Sequence, residues 1–284
     1  DSQSGTNTLK YQWTNSTTAP AANTFTTSFT SGSTITKSDG TGSYYLWILA
    51  TDNAGNQTIT RSNVFNLDNT APTCTNSGDS TTWTSGNRTI TWGCSDTLSG
   101  CKTGYTGGSQ TYTTSTKTAT ISSYTIKDNS GNETTCQQRT ANVYVDKTAP
   151  TKPTIANSSN GNWTNGTVSI TLSSTDSHSG LSKYQLKYSG NNNSWTDLTS
   201  NSDSWSGERS ETVYYRAVDK LGNISEEAST QIKIDKTVPT VTFGTNGNST
   251  YAKSQSTKVT VTDSQSGTNT LKYQWTNSTT TPDA

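Results

Sequence analysis

Four aspartates, Asp96, Asp128, Asp176 and Asp219, head two recurring loops and are the best-placed residues in this sequence for metal chemistry. One loop reads Asp-x-x-Ser-Gly and stands at 1–5, 96–100, 176–180 and 263–267. The other reads Asp-x-x-Gly-Asn and stands at 52–56, 128–132 and 219–223. Carboxylates are hard oxygen ligands of the kind calcium collects. If both loops share one pole of a domain, Asp96 with Asp128 and Asp176 with Asp219 make two candidate calcium pairs. A simpler use competes: each Asp caps its own turn while Gly supplies the positive φ. Neither loop has the dense acidic spacing of an EF-hand or a nonapeptide calcium repeat, so both uses stay open. No other cofactor is expected.

All 4 cysteines, Cys74, Cys94, Cys101 and Cys136, lie within one stretch of the chain. An even number confined to one small segment reads as disulfides in an oxidising compartment, with a zinc site as the alternative. Cys74 opens the first strand of that segment and Cys94 closes the second, so antiparallel pairing brings them together. Cys101 follows the Asp96 loop and Cys136 follows the Asp128 loop, and those loops share one end of a sandwich. The favoured connectivity is therefore Cys74–Cys94 with Cys101–Cys136.

Catalytic groups are scarce. The only histidine, His178, sits inside a turn, so a Ser-His-Asp arrangement cannot recur along the chain. Glu133, Glu208, Glu211, Glu226 and Glu227 fall near turns or on polar strand faces without forming a glycosidase pair. No enzyme activity is expected. Among the tryptophans, Trp13, Trp47, Trp83 and Trp163 recur at equivalent positions in strand-like patterns, as core anchors do. Trp195 and Trp205 instead flank polar stretches and are the candidates for an exposed sugar-binding platform.

The elements that position these residues are strands. Thr-Lys-Val-Thr-Val-Thr at 257–262 and Thr-Ile-Thr-Trp at 89–92 alternate with period two, and no convincing helical stretch competes. The apolar fraction is 26%, too low for one large core, yet charge balances at +0 and aromatics reach 9%, which argues against disorder. Several small cores with a few aromatics each fit better. No apolar run is long enough to span a membrane, and a neutral chain without a basic cluster excludes nucleic acid as the expected partner.

Residues 1–18 recur unchanged at 263–280, an offset of 262 residues, so the chain holds one period of a tandem super-repeat plus an overlap. Within it, Asp-x-Thr-Ala/Val-Pro markers at 68–72, 146–150 and 235–239 each follow an alternating strand. Proline fixes a short extended connection there. The marker prolines Pro72, Pro150 and Pro239 delimit segments of sandwich size. The expected domains are 1–71 (the later part of a split repeat), 72–149 (the four cysteines), 150–238, and 239–284 (the start of the next repeat). About seven short strands between markers predict tandem immunoglobulin-like β-sandwich domains, an all-β chain in an extended array.

Lys10-Tyr11-Gln12-Trp13, the 44–56 segment with its Tyr-Tyr-Leu-Trp and Asp-Asn-Ala-Gly-Asn, and the Asp-Lys-Thr-Ala-Pro linkers resemble bacterial Ig-like repeats of large Gram-positive surface proteins. The resemblance covers essentially the whole chain. It implies an extracellular, cell-surface or secreted stalk or adhesin segment. The partners expected are neighbouring repeats of the same chain, lateral self-association into filaments, and a glycan or host surface. The alternative is a repeated binding module that recognises glycan or host protein through the Ig-like units themselves.

Overall fold

The computed structural model describes Gln3 and residues 5–280. The chain is all-β, and two single-turn 3-10 segments, Ala22–Thr24 and Ser189–Asn191, are the only helical elements among the described residues. Among the described residues no helix is long and apolar enough to cross a membrane. Two compact units divide it, Asp1–Val145 and Asp146–Ala284, where four segments were expected. The division falls at the head of the 146–150 marker and not at its proline.

The first unit opens with β1 (Thr6–Thr14), β2 (Thr27–Ser28), β3 (Gly42–Asp52), β4 (Gln57–Arg61) and β5 (Phe65–Leu67). They form one antiparallel sheet in the order β2-β1-β3-β4, with β5 also paired to β3. On one face, Trp47 and Leu49 are buried under Phe25. Next come β6 (Thr73–Ser77), β7 (Arg88–Ser95) and β8 (Gly107–Tyr112), a three-stranded sheet in that order. Facing it is a hairpin broken into two pieces: β9 (Thr116–Ile121) pairs β12 (Arg139–Val145), and β10 (Tyr124–Lys127) pairs β11 (Glu133–Cys136). Ile90, Ile121, Ala141, Val143 and Val145 are buried as one cluster.

The second unit contains a complete sandwich. Its strands are β13 (Thr154–Asn157), β14 (Val168–Ser173), β15 (Leu181–Lys187), β16 (Thr196–Asp197), β17 (Ser202–Trp205), β18 (Arg209–Asp219) and β19 (Ala228–Ile234). They make two sheets, β13-β14-β17 and β16-β15-β18-β19. Strand β14 shows how the sequence builds it: Val168, Ile170 and Leu172 are buried while Ser169, Thr171 and Ser173 are exposed, as a period-two pleat requires. Eleven residues drawn from both sheets form its core, Trp205, Tyr184 and Tyr215 the bulkiest among them. Seven strands in two facing sheets over a shared core are an immunoglobulin-like sandwich. A hairpin of β20 (Thr240–Phe243) and β21 (Val259–Thr262) follows.

The cysteine pairing differs from expectation. The disulfides are Cys74–Cys136 and Cys94–Cys101. Cys74 and Cys94 do stand opposite one another on β6 and β7, but both side chains reach for the facing layer instead of each other. Cys136 lies in β11, and Cys101 is bridged to Asp128 at the end of β10. The reason is a missing strand. In the complete sandwich β15 spans Leu181–Lys187 and pairs β18. In the cysteine segment the corresponding strand shrinks to the single Cys101–Asp128 bridge. Covalent links between the layers stand in for the lost pairing and packing.

The tryptophans also depart from expectation. Trp13 lies on β1 and Trp47 on β3, two different strands, while Trp83 and Trp163 precede residues that pair in parallel with the last strand of their sandwiches (Thr84 with Val145, Thr164 with Ile234). Of the four, Trp47 alone is fully buried. Trp83 packs on the ring of Tyr144, 4.8 Å away, and Tyr144 adopts φ 47 at the irregularity in the β9–β12 pairing.

Loop-entropy reasoning gives Cys74–Cys136, which closes 62 residues, about 4 kcal/mol, against about 2 kcal/mol for the seven-residue Cys94–Cys101 loop. Replacing Cys74 and Cys136 by Ser should therefore lower the melting temperature of the cysteine sandwich more than replacing Cys94 and Cys101. Peptide mapping under non-reducing conditions should recover the same two pairs. Equal shifts, or a Cys74–Cys94 peptide, would contradict this assignment.

Candidate functional site

The two aspartate loops and the linker converge at one pole of each sandwich. Asp96 Oδ1 accepts hydrogen bonds from the Leu98 and Gly100 amides at 3.1 and 2.7 Å, and Asp176 Oδ1 does the same with His178 and Gly180 at 3.1 and 2.7 Å. Gly100 and Gly180 have φ of 78 and 85, so a side chain there would strain the turn. In the second loop Asn132 donates to Asp128 from its amide and its Nδ2, at 2.8 and 2.6 Å, and Asn223 repeats this with Asp219 at 2.8 and 2.7 Å. The loops are joined through their backbones: the Asn129 amide donates to Gly100 O at 2.9 Å and the Lys220 amide to Gly180 O at 3.0 Å.

The third participant is the aspartate that opens each linker. Asp68 Oδ2 accepts the Ser99 amide at 3.0 Å, Asp146 Oδ2 the Ser179 amide at 2.9 Å, and Asp235 Oδ2 the Ser266 amide at 2.9 Å. Their other oxygens accept the Thr70, Thr148 and Thr237 amides inside the linker. Asn132 Nδ2 reaches back to Asp68 O at 2.9 Å. The serine of Asp-x-x-Ser-Gly thus has a function that sequence reading missed: its amide donates to the linker carboxylate. The available signal was the fixed place of Asp at the head of every marker. Asp1, Ser2 and Ser4 of the first such loop lie outside the described residues.

This convergence gathers charge. One carboxylate oxygen from each of Asp68, Asp96 and Asp128 lies within 4.8 Å of the others, and Asp146, Asp176 and Asp219 form a second such group. Asp128, Asp146 and Asp219 are buried. Burial opposes ionisation of Asp128, but donors on Asn132 and Gly131 outweigh it and hold the carboxyl below its ordinary value. Asp146 follows the same balance, with Ser179 and Thr148 as donors. Ser99 and Thr70 lower Asp68, and Ser266 and Thr237 lower Asp235.

The sequence-derived calcium candidates are therefore brought together pairwise, each pair joined by a linker aspartate. The donor set suits a hard divalent cation, because a carboxylate that accepts amides retains further lone pairs. Asp176 Oδ2 is buried without a hydrogen-bond partner and is the oxygen most available for such an ion. The turn-capping use operates with or without a cation.

The sugar-platform candidates fare differently. Trp205 is 7% exposed and belongs to the core, its Nε1 donating to Tyr215 Oη at 3.3 Å. The Tyr215 hydroxyl in turn donates to Asp203 Oδ2 at 2.8 Å, and burial raises its pKa far above the usual phenol value. Trp195 is half-buried with Lys187 4.6 Å and Arg216 4.0 Å from its ring. The polar stretches flanking both residues concealed these partners, which come from β15 and β18. An open cleft of about 530 Å³ beside Trp205 is lined by Tyr188, Asn191, Asp203 and Arg209. His178 Nδ1 stands 3.1 Å from Ser177 Oγ and 3.9 Å from Asp146 Oδ1. Glu211 and Glu227 are paired with Arg209 and Lys187, and Glu133 with Lys127.

No protein-family model matches the chain, and no curated protein matches it. Among solved structures it is similar to fibronectin(III)-like modules of Clostridium thermocellum CbhA, at 14% identity over 57% of this chain and 95% of that one, with a TM-score of 0.26. A tetra-tandem repeat from the extending region of a large adhesion protein matches at 19% identity, 72% and 60% coverage and a TM-score of 0.27. The Bacteroides ovatus mixed-linkage glucan utilization locus protein SGBP-B, in complex with mixed-linkage heptasaccharide, matches at 12% identity, 84% and 62% coverage and a TM-score of 0.17. At these scores the likeness transfers no residue and no ligand to this chain.

Replacing Asp219, a buried carboxylate, by Ala removes three hydrogen bonds from its loop and should cost about 1–2 kcal/mol. If a cation also seats there, calcium should raise the melting temperature of the parent chain, chelator should reverse the rise, and the variant should respond less. A calcium response of equal size in both proteins would remove Asp219 from the ligand set.

Acid supplies a second measurement. Asp68, Asp128, Asp146 and Asp235 are all depressed in the fold. A depressed folded value stabilises fully above the unfolded value and is lost as pH falls through the folded one. Melting followed by circular dichroism should be level from neutrality to about pH 5 and decline below about pH 4. A level profile down to about pH 2 would show that these carboxylates contribute nothing.

Proposed function

We propose that the chain is a non-catalytic structural repeat that forms part of an elongated extracellular stalk or fibre of a bacterial surface protein. The observation that carries this reading is the repeated bond between a linker aspartate and the serine amide of the sandwich that follows it, made by Asp68, Asp146 and Asp235 alike. A linker whose first residue is bonded into the next domain, and whose last is proline, has few residues left free to swivel. Flexible linkers would need Gly and Ser in those places. The Thr-, Ser- and Asn-rich surface keeps such an array soluble at zero net charge. Disulfides in the cysteine segment fit an oxidising, extracellular setting.

The alternative of a glycan-binding module loses one of its two nominated residues, because Trp205 is buried, and keeps Trp195, which is half-buried with Lys187 and Arg216 against its ring. The cleft beside Trp205 keeps it as a second reading, to be decided by glycan-array binding of the isolated chain.

Strand lengths put one full period laid end to end on the order of 100 Å. Small-angle X-ray scattering of a single period should give the profile of a rod, and two periods should come close to doubling the maximum dimension. Asp68→Ala, which unties one linker, should shorten the average dimension by increased bending. A two-period chain that folds into a compact particle would overturn the stalk.

A further inference from the structure

Both disulfides of the cysteine sandwich sit where its linker enters. Cys74 stands two residues past the marker proline Pro72, and Cys136 four residues past Asn132, whose Nδ2 bonds to Asp68 O. Thr134 Oγ1, two residues before Cys136, donates to Pro72 O at 2.6 Å. The Cys74–Cys136 bond therefore ties the start of β6 to β11. It spans a sequence separation of 62 and encloses all of β7, β8, β9 and β10. Cys94–Cys101 lies inside that span and encloses the Asp96 loop.

The last strand lies outside the enclosed loop. Beyond its ladder with β9, β12 is held by the segment that follows β6. The Ser80 amide donates to Asn142 O and the Thr84 amide to Tyr144 O, each at 3.0 Å. Arg139 adds a two-pronged pair with Asp79, Nη1 to Oδ1 at 3.1 Å and Nη2 to Oδ2 at 2.8 Å. The complete sandwich that follows in sequence has no cysteine, so nothing shortens its covalent path between Pro150 and Asp235.

A chain pulled from its two ends carries tension along its shortest covalent path. In the cysteine sandwich that path runs from Pro72 to Cys74, crosses the two sulfurs to Cys136, and leaves through β12 to Asp146. Residues 75–135 are off it. We infer that Cys74–Cys136 is a tension bypass, through which the cysteine sandwich keeps its length under a pull that can unravel the complete sandwich. The inference rests on the stalk reading for the tension alone, because the path follows from connectivity.

The lengths differ widely. Fully extended, the stretch from Cys136 to Asp146 reaches about 35 Å. Strand β12 already spans about 23 Å of it, so peeling that strand away adds only about 10 Å. The stretch from Pro150 to Asp235 reaches about 290 Å when unravelled.

Single-molecule force spectroscopy of the full chain, held by its two ends, tests the bypass through the total length reached on complete unfolding. Dithiothreitol should raise that total by about 200 Å over the oxidised chain, the reach of the enclosed loop. Cys74→Ser combined with Cys136→Ser should give nearly the same rise without reductant. Length at full extension reads this whether or not the variant folds. Cys94→Ser combined with Cys101→Ser should leave the oxidised total unchanged, because its loop is already off the path. A longer total in that second variant, or a total that ignores dithiothreitol, overturns the bypass. The stalk fails separately: a compact two-period particle in scattering sinks it without changing these lengths, and lengths that defy the bypass leave a rod in scattering intact.

Discussion

A strand in this protein exists only where another strand pairs with it. Residues 6–14 and 268–276 have the same sequence, yet the first is β1 and the second has no ladder. Strand β1 runs antiparallel to β3 from Thr6↔Asp52 to Thr14↔Tyr45. Among the described residues the second copy has no such neighbour, and Leu271, Tyr273 and Trp275 stand 65%, 89% and 72% exposed. Local propensity is identical in the two places, so pairing and packing decide. Every other property of the chain depends on this constraint. With so few apolar residues, a sandwich is stable only when both layers are present.

The cysteine sandwich shows what replaces a missing partner. Its counterpart of β15 is reduced to one bridge, and its hairpin is split. Two disulfides cross between its layers, and Thr134 Oγ1 donates to Pro72 O. Confining the unfolded chain offsets contacts the folded one does not make. The complete sandwich, with its core of eleven residues, has no cysteine.

What the sequence disclosed follows the range of the interactions involved. Turns capped by their own Asp are local, so the Asp96, Asp128, Asp176 and Asp219 loops could be read from the spacing of Asp and Gly, and the marker prolines punctuated the sandwiches. Alternation along 257–262 and 89–92 made the all-β class legible. Cysteine pairing was not legible, because it turns on which strand is absent opposite Cys94 and Cys136, a property of the tertiary layers. Trp205 looked exposed because Ser202, Asp203 and Ser204 precede it, but its ring points inward from a two-sided strand and its Nε1 finds Tyr215 across the core. Asp68, Asp146 and Asp235 were read as punctuation, since nothing local shows that their carboxylates bond to serines about thirty residues away.

Those linker bonds and the pairing constraint act on the same problem at two scales. Within a sandwich, order comes from apolar side chains meeting between layers. Between a linker and its sandwich the buried apolar groups include the marker prolines Pro72 and Pro150, and directional order comes from linker carboxylates bonded to backbone amides. Such bonds to an ionised acceptor are directional and stronger than neutral ones. Each aspartate also does two things at once: Asp128 and Asp219 close their own loops while the loop asparagine, held by that closure, extends Nδ2 toward the linker carbonyl of Asp68 or Asp146. Loosening one carboxylate therefore frees a turn and a linker together. A chain without net charge in this way gathers three carboxylates at one pole of the cysteine sandwich and three at one pole of the complete sandwich, while much of the remaining sequence is threonine, serine and asparagine.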